Sequence, residues 1–126
     1  MNRRITFDIP PDSMTHNKLN CWTCALHPDA ADGDRLDDRA LSDLVFCQDG
    51  EKLGPAHADH SRIGLFGRGL FSHWRNTLYF SASDNSDPRT SGRRYTCDVS
   101  ARLGGGGISQ SVCIMSRDGN WKPYAE

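Results

Sequence analysis

Two cysteines and two histidines form the pattern with the clearest chemical capacity in this sequence. Cys21 and Cys24 are separated by two residues, and His57 and His60 have the same spacing further along the chain. Cysteine thiolates and neutral imidazoles are zinc ligands, and residues three apart on a helix face the same side. These four residues therefore predict a zinc site, structural rather than catalytic. The alternative is a cysteine pair in a polar loop and two surface histidines.

The cysteine pair also has the spacing of a redox motif. In thioredoxin-like proteins such a pair lies where a strand meets a helix, and its first thiol has a lowered pKa. The sequence around Cys21 and Cys24 shows no βαβ pattern. Redox catalysis is therefore less favoured than metal binding.

A second group of residues, between positions 72 and 95, has the composition of a site for a polar ligand. Aromatic rings stack on sugars, while Asp, Asn and Arg side chains form hydrogen bonds with polar groups of a ligand. The candidate binding residues are Trp74, Tyr79, Asp84, Asp87, Arg89 and Arg93. The alternative places the aromatic rings in the core, while the loop's carboxylates bind only their own backbone.

Part of this region carries a family resemblance. Residues 67–93 read GRGLFSHWRNTLYFSASDNSDPRTSGR. This stretch resembles a segment of bacterial proteins of surface-glycan biosynthesis, where it lies beside transferase domains. The resemblance covers about a fifth of the chain and implies a glycan-like ligand, but it assigns no activity and no catalytic residue.

Common catalytic motifs are absent from the sequence. The glycines at 64, 67 and 69 lack the Gly-Lys-Ser/Thr of a phosphate-binding loop, and neither Gly-x-Ser-x-Gly nor His-Glu-x-x-His occurs. The sequence therefore favours a small non-enzymatic ligand-binding or accessory module, for a sugar-like or phosphorylated ligand. A small zinc-binding protein is the alternative, and an uncharacterised small enzyme comes third.

Charge and cysteine content restrict the partners and the location. Fifteen basic and sixteen acidic residues give a formal net charge of −1. This balance argues against nucleic acid, whose phosphates are bound by an excess of Lys and Arg. No stretch approaches the roughly 20 apolar residues that span a bilayer, so no membrane partner is expected. The five cysteines are an odd number and the N-terminus does not resemble a signal peptide, so we expect a cytoplasmic protein with reduced thiols.

The elements that would position these residues are mostly short strands. The 126 residues have the size of one domain. Alternating apolar residues and Asp-Gly turns predict strands, the first ending at the prolines 10–11 and a later one carrying Tyr95, Cys97 and Val99 inward. The expected strands are 4–9, 44–47, 52–53, 71–74, 77–81, 94–100, 108–115 and 121–124.

Two short helices and several loops complete the prediction. Leu spacing indicates a helix over 36–44 with Asp34 capping its first turn, and Pro55 opens a second helix that runs to about Leu65. The other segments at 12–34 and 83–92 are expected to be irregular, and the glycines 104–107 form a hinge or turn. The expected fold class is α+β, with a mostly antiparallel sheet, a small sandwich or a barrel, and one or two short helices.

Overall fold

The computed structural model describes residues 3–102 together with two strands near the C-terminus. The strands, in chain order, are β1 (Arg4–Asp8), β2 (Thr15–Lys18), β3 (Cys21–Ala25), β4 (Val45–Gln48), β5 (Glu51–Lys52), β6 (Phe71–Trp74), β7 (Thr77–Phe80), β8 (Tyr95–Ser100), β9 (Cys113–Met115) and β10 (Trp121–Pro123). A 3₁₀ turn covers Pro11–Ser13, and the α-helix α1 covers His60–Phe66.

The strands form two four-stranded antiparallel sheets and one separate pair. The first sheet has the order β1-β8-β4-β5, the second has the order β2-β3-β7-β6, and β9 pairs with β10. The predicted fold class, α+β with mostly antiparallel strands and a short helix, is confirmed.

The first sheet follows the alternation in the sequence. Tyr95, Cys97 and Val99 on β8 are buried, as predicted, while the residues between them are half-buried. In β1, Phe7 lies opposite Cys97 and both are buried. Since side chains of a strand alternate between its two faces, one face of this sheet supplies a continuous apolar layer.

Aromatic rings join the two sheets in one core. Phe46 of the first sheet lies with its ring centroid 5.5 Å from that of Phe71 and 5.3 Å from that of Phe80, both in the second sheet. Tyr95 stacks on Phe46 at 5.8 Å and lies 6.1 Å from Phe80. These tilted and stacked arrangements are those that aromatic pairs favour, so the inner faces pack as in a sandwich.

The outer face of the second sheet carries α1. The helix packs against β3, β6 and β7, and its Ile63 is fully buried outside the shared core. Because Phe71 and His73 pair with Phe80 and Leu78 on the inner side, the alternate residues of β6 and β7 face outward toward the helix. The helix begins at His60 and ends at Phe66, so the predicted start at Pro55 was wrong by one turn.

Two other predictions from the sequence were wrong. The segment 36–44 contains turns and isolated bridges instead of a helix. Leu36 is 72% exposed and Leu41 is 41% exposed, and only Leu44 at the end of the segment is buried, so the leucines do not form one buried helical face. The segment 12–34, expected to be irregular, contains β2 and β3.

The structure describes only part of the C-terminal region in which elements were predicted. The structure has strands at Cys113–Met115 and Trp121–Pro123, within the predicted ranges 108–115 and 121–124. The predicted hinge at 104–107 and the turn at 118–119 lie outside the described residues.

Candidate functional site

A cleft of about 500 Å³ lies between α1 and the outer face of the second sheet. Charged, imidazole and aromatic side chains meet in it. The residues most relevant to its chemistry are Asp34, Arg39, His57, His60, Trp74 and Tyr79.

Asp34 is held by the edge strand of the sheet. Its N–H donates to the carbonyl oxygen of His73 over 2.7 Å, and its carbonyl accepts from the N–H of Arg75 over 3.0 Å. The preceding residue, Gly33, donates its N–H to the Arg75 carbonyl over 2.7 Å. Asp34 thereby forms a parallel bridge with Trp74, and its backbone is fixed beside β6.

Gly33 permits this close approach because it has no Cβ. A Cβ at this position would lie 2.2 Å from the His73 carbonyl oxygen and 2.5 Å from the His73 ring. Both distances are far below any van der Waals contact, so only glycine can occupy position 33 while Asp34 lies against β6.

The Asp34 carboxylate is buried, and each of its oxygens has a hydrogen-bond partner. Its side chain is 2% exposed. One carboxylate oxygen accepts from the N–H of Ser42 over 2.8 Å, and the other is 2.5 Å from Nδ1 of His57. A buried carboxylate is stable only with such partners, so His57 and Ser42 are required at these positions.

His57 borders the cleft and is held there through Nδ1, one of its two ring nitrogens. A carboxylate only accepts hydrogen bonds, so Nδ1 of His57 donates its proton to Asp34. The side chain is 35% exposed, and within residues 3–102 no protein atom bonds to its Nε2. The backbone has φ 61°, a left-handed conformation uncommon outside glycine. The imidazole is thus oriented and available as a proton acceptor, a hydrogen-bonding group or a metal ligand.

Aromatic rings form the wall beside this pair. The His60 ring stacks on Tyr79 with centroids 3.6 Å apart and a 14° interplanar angle, and Trp74 meets His60 edge-on at 5.9 Å. Burial lowers the pKa of His60, and the charge of Asp59 opposes this shift. His60 therefore acts at neutral pH as an uncharged aromatic ring in the wall.

A second histidine lies on the inner side of β6. His73 is 2% exposed, and its Nδ1 is 2.6 Å from the hydroxyl of Ser42. That hydroxyl also accepts from the N–H of Leu44 over 3.1 Å, while Nε2 of His73 is buried without a partner in the described structure. Burial lowers the pKa of His73, with Asp34 opposing the shift. Ser42 thus links a buried neutral histidine to the Asp34 carboxylate.

The structure does not bring the four predicted zinc ligands together. Cys21 and Cys24 both lie on the strand β3, where residues three apart point to opposite faces. Burial raises the pKa of Cys21 to about 11 and that of Cys24 to about 12, so both thiols are protonated at neutral pH. His57 and His60 do border one cleft. Among the described residues, no group of three or more His, Cys, Asp or Glu side chains is arranged to hold a metal ion.

The structure also divides the predicted polar-ligand residues. Trp74 and Tyr79 line the cleft, whereas none of the four charged residues of the loop borders it. Asp84 makes two hydrogen bonds to Arg93, of 2.8 and 2.9 Å.

The other charged pair of the loop is engaged in the same way. Asp87 accepts from the Arg89 guanidinium over 3.0 and 3.2 Å and from the Arg89 N–H over 2.9 Å. The guanidinium also lies 4.7 Å above the ring of Trp22. Both pairs lower the pKa of their carboxylates, which supports the interpretation of these charges as internal partners of the loop.

Asp34, the residue at the centre of the site, belongs to no sequence motif that predicts a functional site. Asp34 was assigned to a helix cap, because an Asp before regularly spaced leucines is typical of one. Its partner His57 lies 23 positions away, and no local spacing connects them. Gly33 and Ser42, which fix Asp34 in place, also carried no recognisable signal in the sequence.

Comparisons with protein-family models, with curated proteins and with solved structures found no match. Among the described residues, no helix has the length and apolar character needed to cross a membrane.

Proposed function

We propose that this chain is a ligand-binding or accessory module that takes a small sugar-like or phosphorylated ligand in the cleft beside α1. The observation that carries the proposal is the juxtaposition of half-buried aromatic rings with an oriented, hydrogen-bonded Asp34–His57 pair in one cleft. A few placed polar groups among larger apolar surfaces are typical of sites for small ligands.

The aromatic wall suits the apolar face of a sugar ring. Trp74 is half-buried, and its ring is perpendicular to that of His60. Tyr79 is covered on one side by His60, and the two stacked rings make a rigid surface. Sugars stack on such rings while their hydroxyl groups bind polar side chains, which His57 supplies here.

Two further observations favour a phosphorylated or glycan-like ligand. Arg39 is exposed and borders the cleft, and a guanidinium binds phosphoryl oxygens well. Residues 67–93, which resemble the segment from surface-glycan biosynthesis proteins, include β6 and β7 and thus supply both Trp74 and Tyr79. The proposed location is cytoplasmic, as the thiol content suggests.

Calorimetric titration with monosaccharides, sugar phosphates and nucleotide sugars tests this proposal. We expect at least one class to bind and the variant Trp74→Ala to lose about tenfold in affinity, about 1.4 kcal/mol. The matched control is Arg89→Ala, which removes an exposed charge outside the cleft and should leave affinity unchanged. The conservative variant Trp74→Phe should recover part of the loss.

Two results would refute the proposal. One is the absence of binding across all three ligand classes at millimolar concentration. The other is a ligand whose affinity depends on Arg89 and not on Trp74, because that would locate the site in the loop.

A further inference from the structure

The Asp34–His57 pair is fixed by more hydrogen bonds than a side chain that only binds a ligand requires. The carboxylate is buried and fixed through Ser42, the imidazole is oriented by it, and the His57 side chain is 35% exposed at the border of the cleft with no protein partner for Nε2 within residues 3–102. His57 also holds a backbone conformation that is sparsely populated by non-glycine residues. Five other non-glycine residues among those described also have a positive φ, so the organisation of the pair lies in its hydrogen bonds.

We propose that His57 is a proton-transfer residue and that Asp34 is its positioning residue, so that the cleft performs acid–base chemistry on a hydroxylated ligand. The inference rests on the cleft of the proposed function but adds catalysis to binding. Nε2 of His57 takes the proton of a ligand hydroxyl. The O–H bond breaks, an N–H bond forms at Nε2, and the electron pair remains on the ligand oxygen.

Asp34 supports this step in two ways. As an acceptor, it fixes the neutral imidazole in the tautomer with hydrogen on Nδ1 and a lone pair on Nε2. Its negative charge, buried and 2.5 Å from Nδ1, then stabilises the imidazolium that forms when Nε2 is protonated. The N–H of Ser42 holds the other carboxylate oxygen and prevents rotation of the group.

A purely structural role does not account for this geometry. His73 provides the comparison within the same molecule, because it is 2% exposed and its ring fills space beneath Gly33. The side chain of His57 is 35% exposed and borders an open cleft, so only one of its nitrogens serves the fold.

The tautomer of His57 is the first test, and it requires no ligand. Long-range ¹H–¹⁵N NMR spectra, recorded in a pH series up to the point where the ring ¹⁵N shifts of His57 no longer change, distinguish hydrogen on Nδ1 from hydrogen on Nε2. We expect the Nδ1–H form in the wild-type protein. The Nε2–H form, or an equal mixture, would overturn the proposal, because the lone pair would not be held at the cleft.

The variant Asp34→Asn should exchange the tautomer of His57, and it keeps the shape of the side chain at position 34. The N–H of Ser42 needs an acceptor, so the amide oxygen takes that position and the amide nitrogen faces His57. This nitrogen donates to Nδ1, which moves the ring hydrogen to Nε2. We expect the Nε2–H form in this variant, and an unchanged Nδ1–H form would contradict the positioning role.

Acylation by diethyl pyrocarbonate at pH 8, followed by mass spectrometry, measures the reactivity of the lone pair. In Asp34→Asn we expect acylation of His57 to slow by about tenfold or more, since the accessible nitrogen then carries hydrogen. His16, an exposed histidine whose Nε2 is 2.8 Å from the Leu19 carbonyl, is the internal control and should react equally in both proteins. Equal rates at His57 would overturn the proposal.

These outcomes separate the two proposals. Failure of every sugar to bind would refute the ligand class and leave the tautomer and acylation results to decide the proton-transfer role. A wrong tautomer would refute proton transfer even if a sugar binds. If Asp34→Asn does not fold, the wild-type tautomer alone decides the inference.

Discussion

Replacement of Gly33 by alanine should disturb both the stability of the fold and the geometry of the site. The added Cβ would lie 2.2 Å from the His73 carbonyl oxygen, which is part of the backbone and cannot rotate away. Ordinary contacts of a Cβ lie at 3.4–4 Å and real ones essentially never fall below 3.0 Å, so the Gly33–Asp34 segment has to move outward from β6.

The magnitude follows from the hydrogen bonds that this movement breaks. Three backbone bonds, of 2.7, 2.7 and 3.0 Å, join Gly33 and Asp34 to His73 and Arg75. Each contributes about 0.5–1.5 kcal/mol, and overpacking alone costs about 1–3 kcal/mol. We expect Gly33→Ala to lower the free energy of unfolding by at least about 2.5 kcal/mol, the sum of the lower bounds of these two effects.

Urea unfolding at pH 7.5 measures this loss. The control is Gly64→Ala in α1, where the nearest contact of a Cβ would be 3.3 Å and the gain in helix propensity is about 1 kcal/mol. The control should therefore stay within about 1 kcal/mol of the wild type. A Gly33→Ala variant as stable as the wild type would refute the close approach of Asp34 to β6.

Two further predictions concern thiols and pH. Thiol titration in denaturant should find five free thiols, and in the native protein half-buried Cys47 should react before Cys24, because burial raises the pKa of Cys24 to about 12. Fewer than five free thiols would contradict the proposed cytoplasmic location. Burial holds the pKa values of His60 and His73 in the folded protein below 6.5. Between these lowered values and pH 6.5, the unfolded chain therefore binds more protons than the folded protein does. The free energy of unfolding should therefore fall as the pH decreases below about 6.5. His60→Gln should reduce this dependence in urea unfolding between pH 7.5 and 5, and a flat profile in the wild type would contradict the lowered pKa values.

The strands with one buried and one polar face could be predicted from the sequence. On β8, Tyr95, Cys97 and Val99 alternate with polar residues because only one face meets the core. The strand β3 was missed because both of its faces are covered. Trp22 faces the shared core while the adjacent Cys21 is buried outside it, so no alternation appears.

The candidate site was predicted only in fragments. Trp74 and Tyr79 came from the proposed sugar site, and His57 and His60 came from the proposed zinc site. Local spacing identified these side chains as chemically capable. Local spacing could not show that these side chains border one cleft. The cleft forms only because the connection between β3 and β4 brings Asp34 back to the edge of β6, and this contact is distant in sequence.

The exposed loop at 83–92 attracted the sequence prediction because its composition resembles that of a binding site. In the structure the charged side chains of this loop pair with one another and stabilise its conformation. The side chain of Asn85 accepts from the N–H of Arg68 over 2.7 Å and donates to the Phe66 carbonyl over 3.2 Å, so the loop is attached to the end of α1. Composition alone does not distinguish internal partners from partners in a ligand.

Chemical-shift mapping with the sugar, sugar-phosphate and nucleotide-sugar panel tests most directly whether the cleft is the binding site. We expect the bound ligand to shift the side-chain signals of His57, His60 and Trp74 and to leave those of Arg89 and Arg93 in place. Shifts confined to the loop at 83–92, or no shift with any member of the panel, would contradict it.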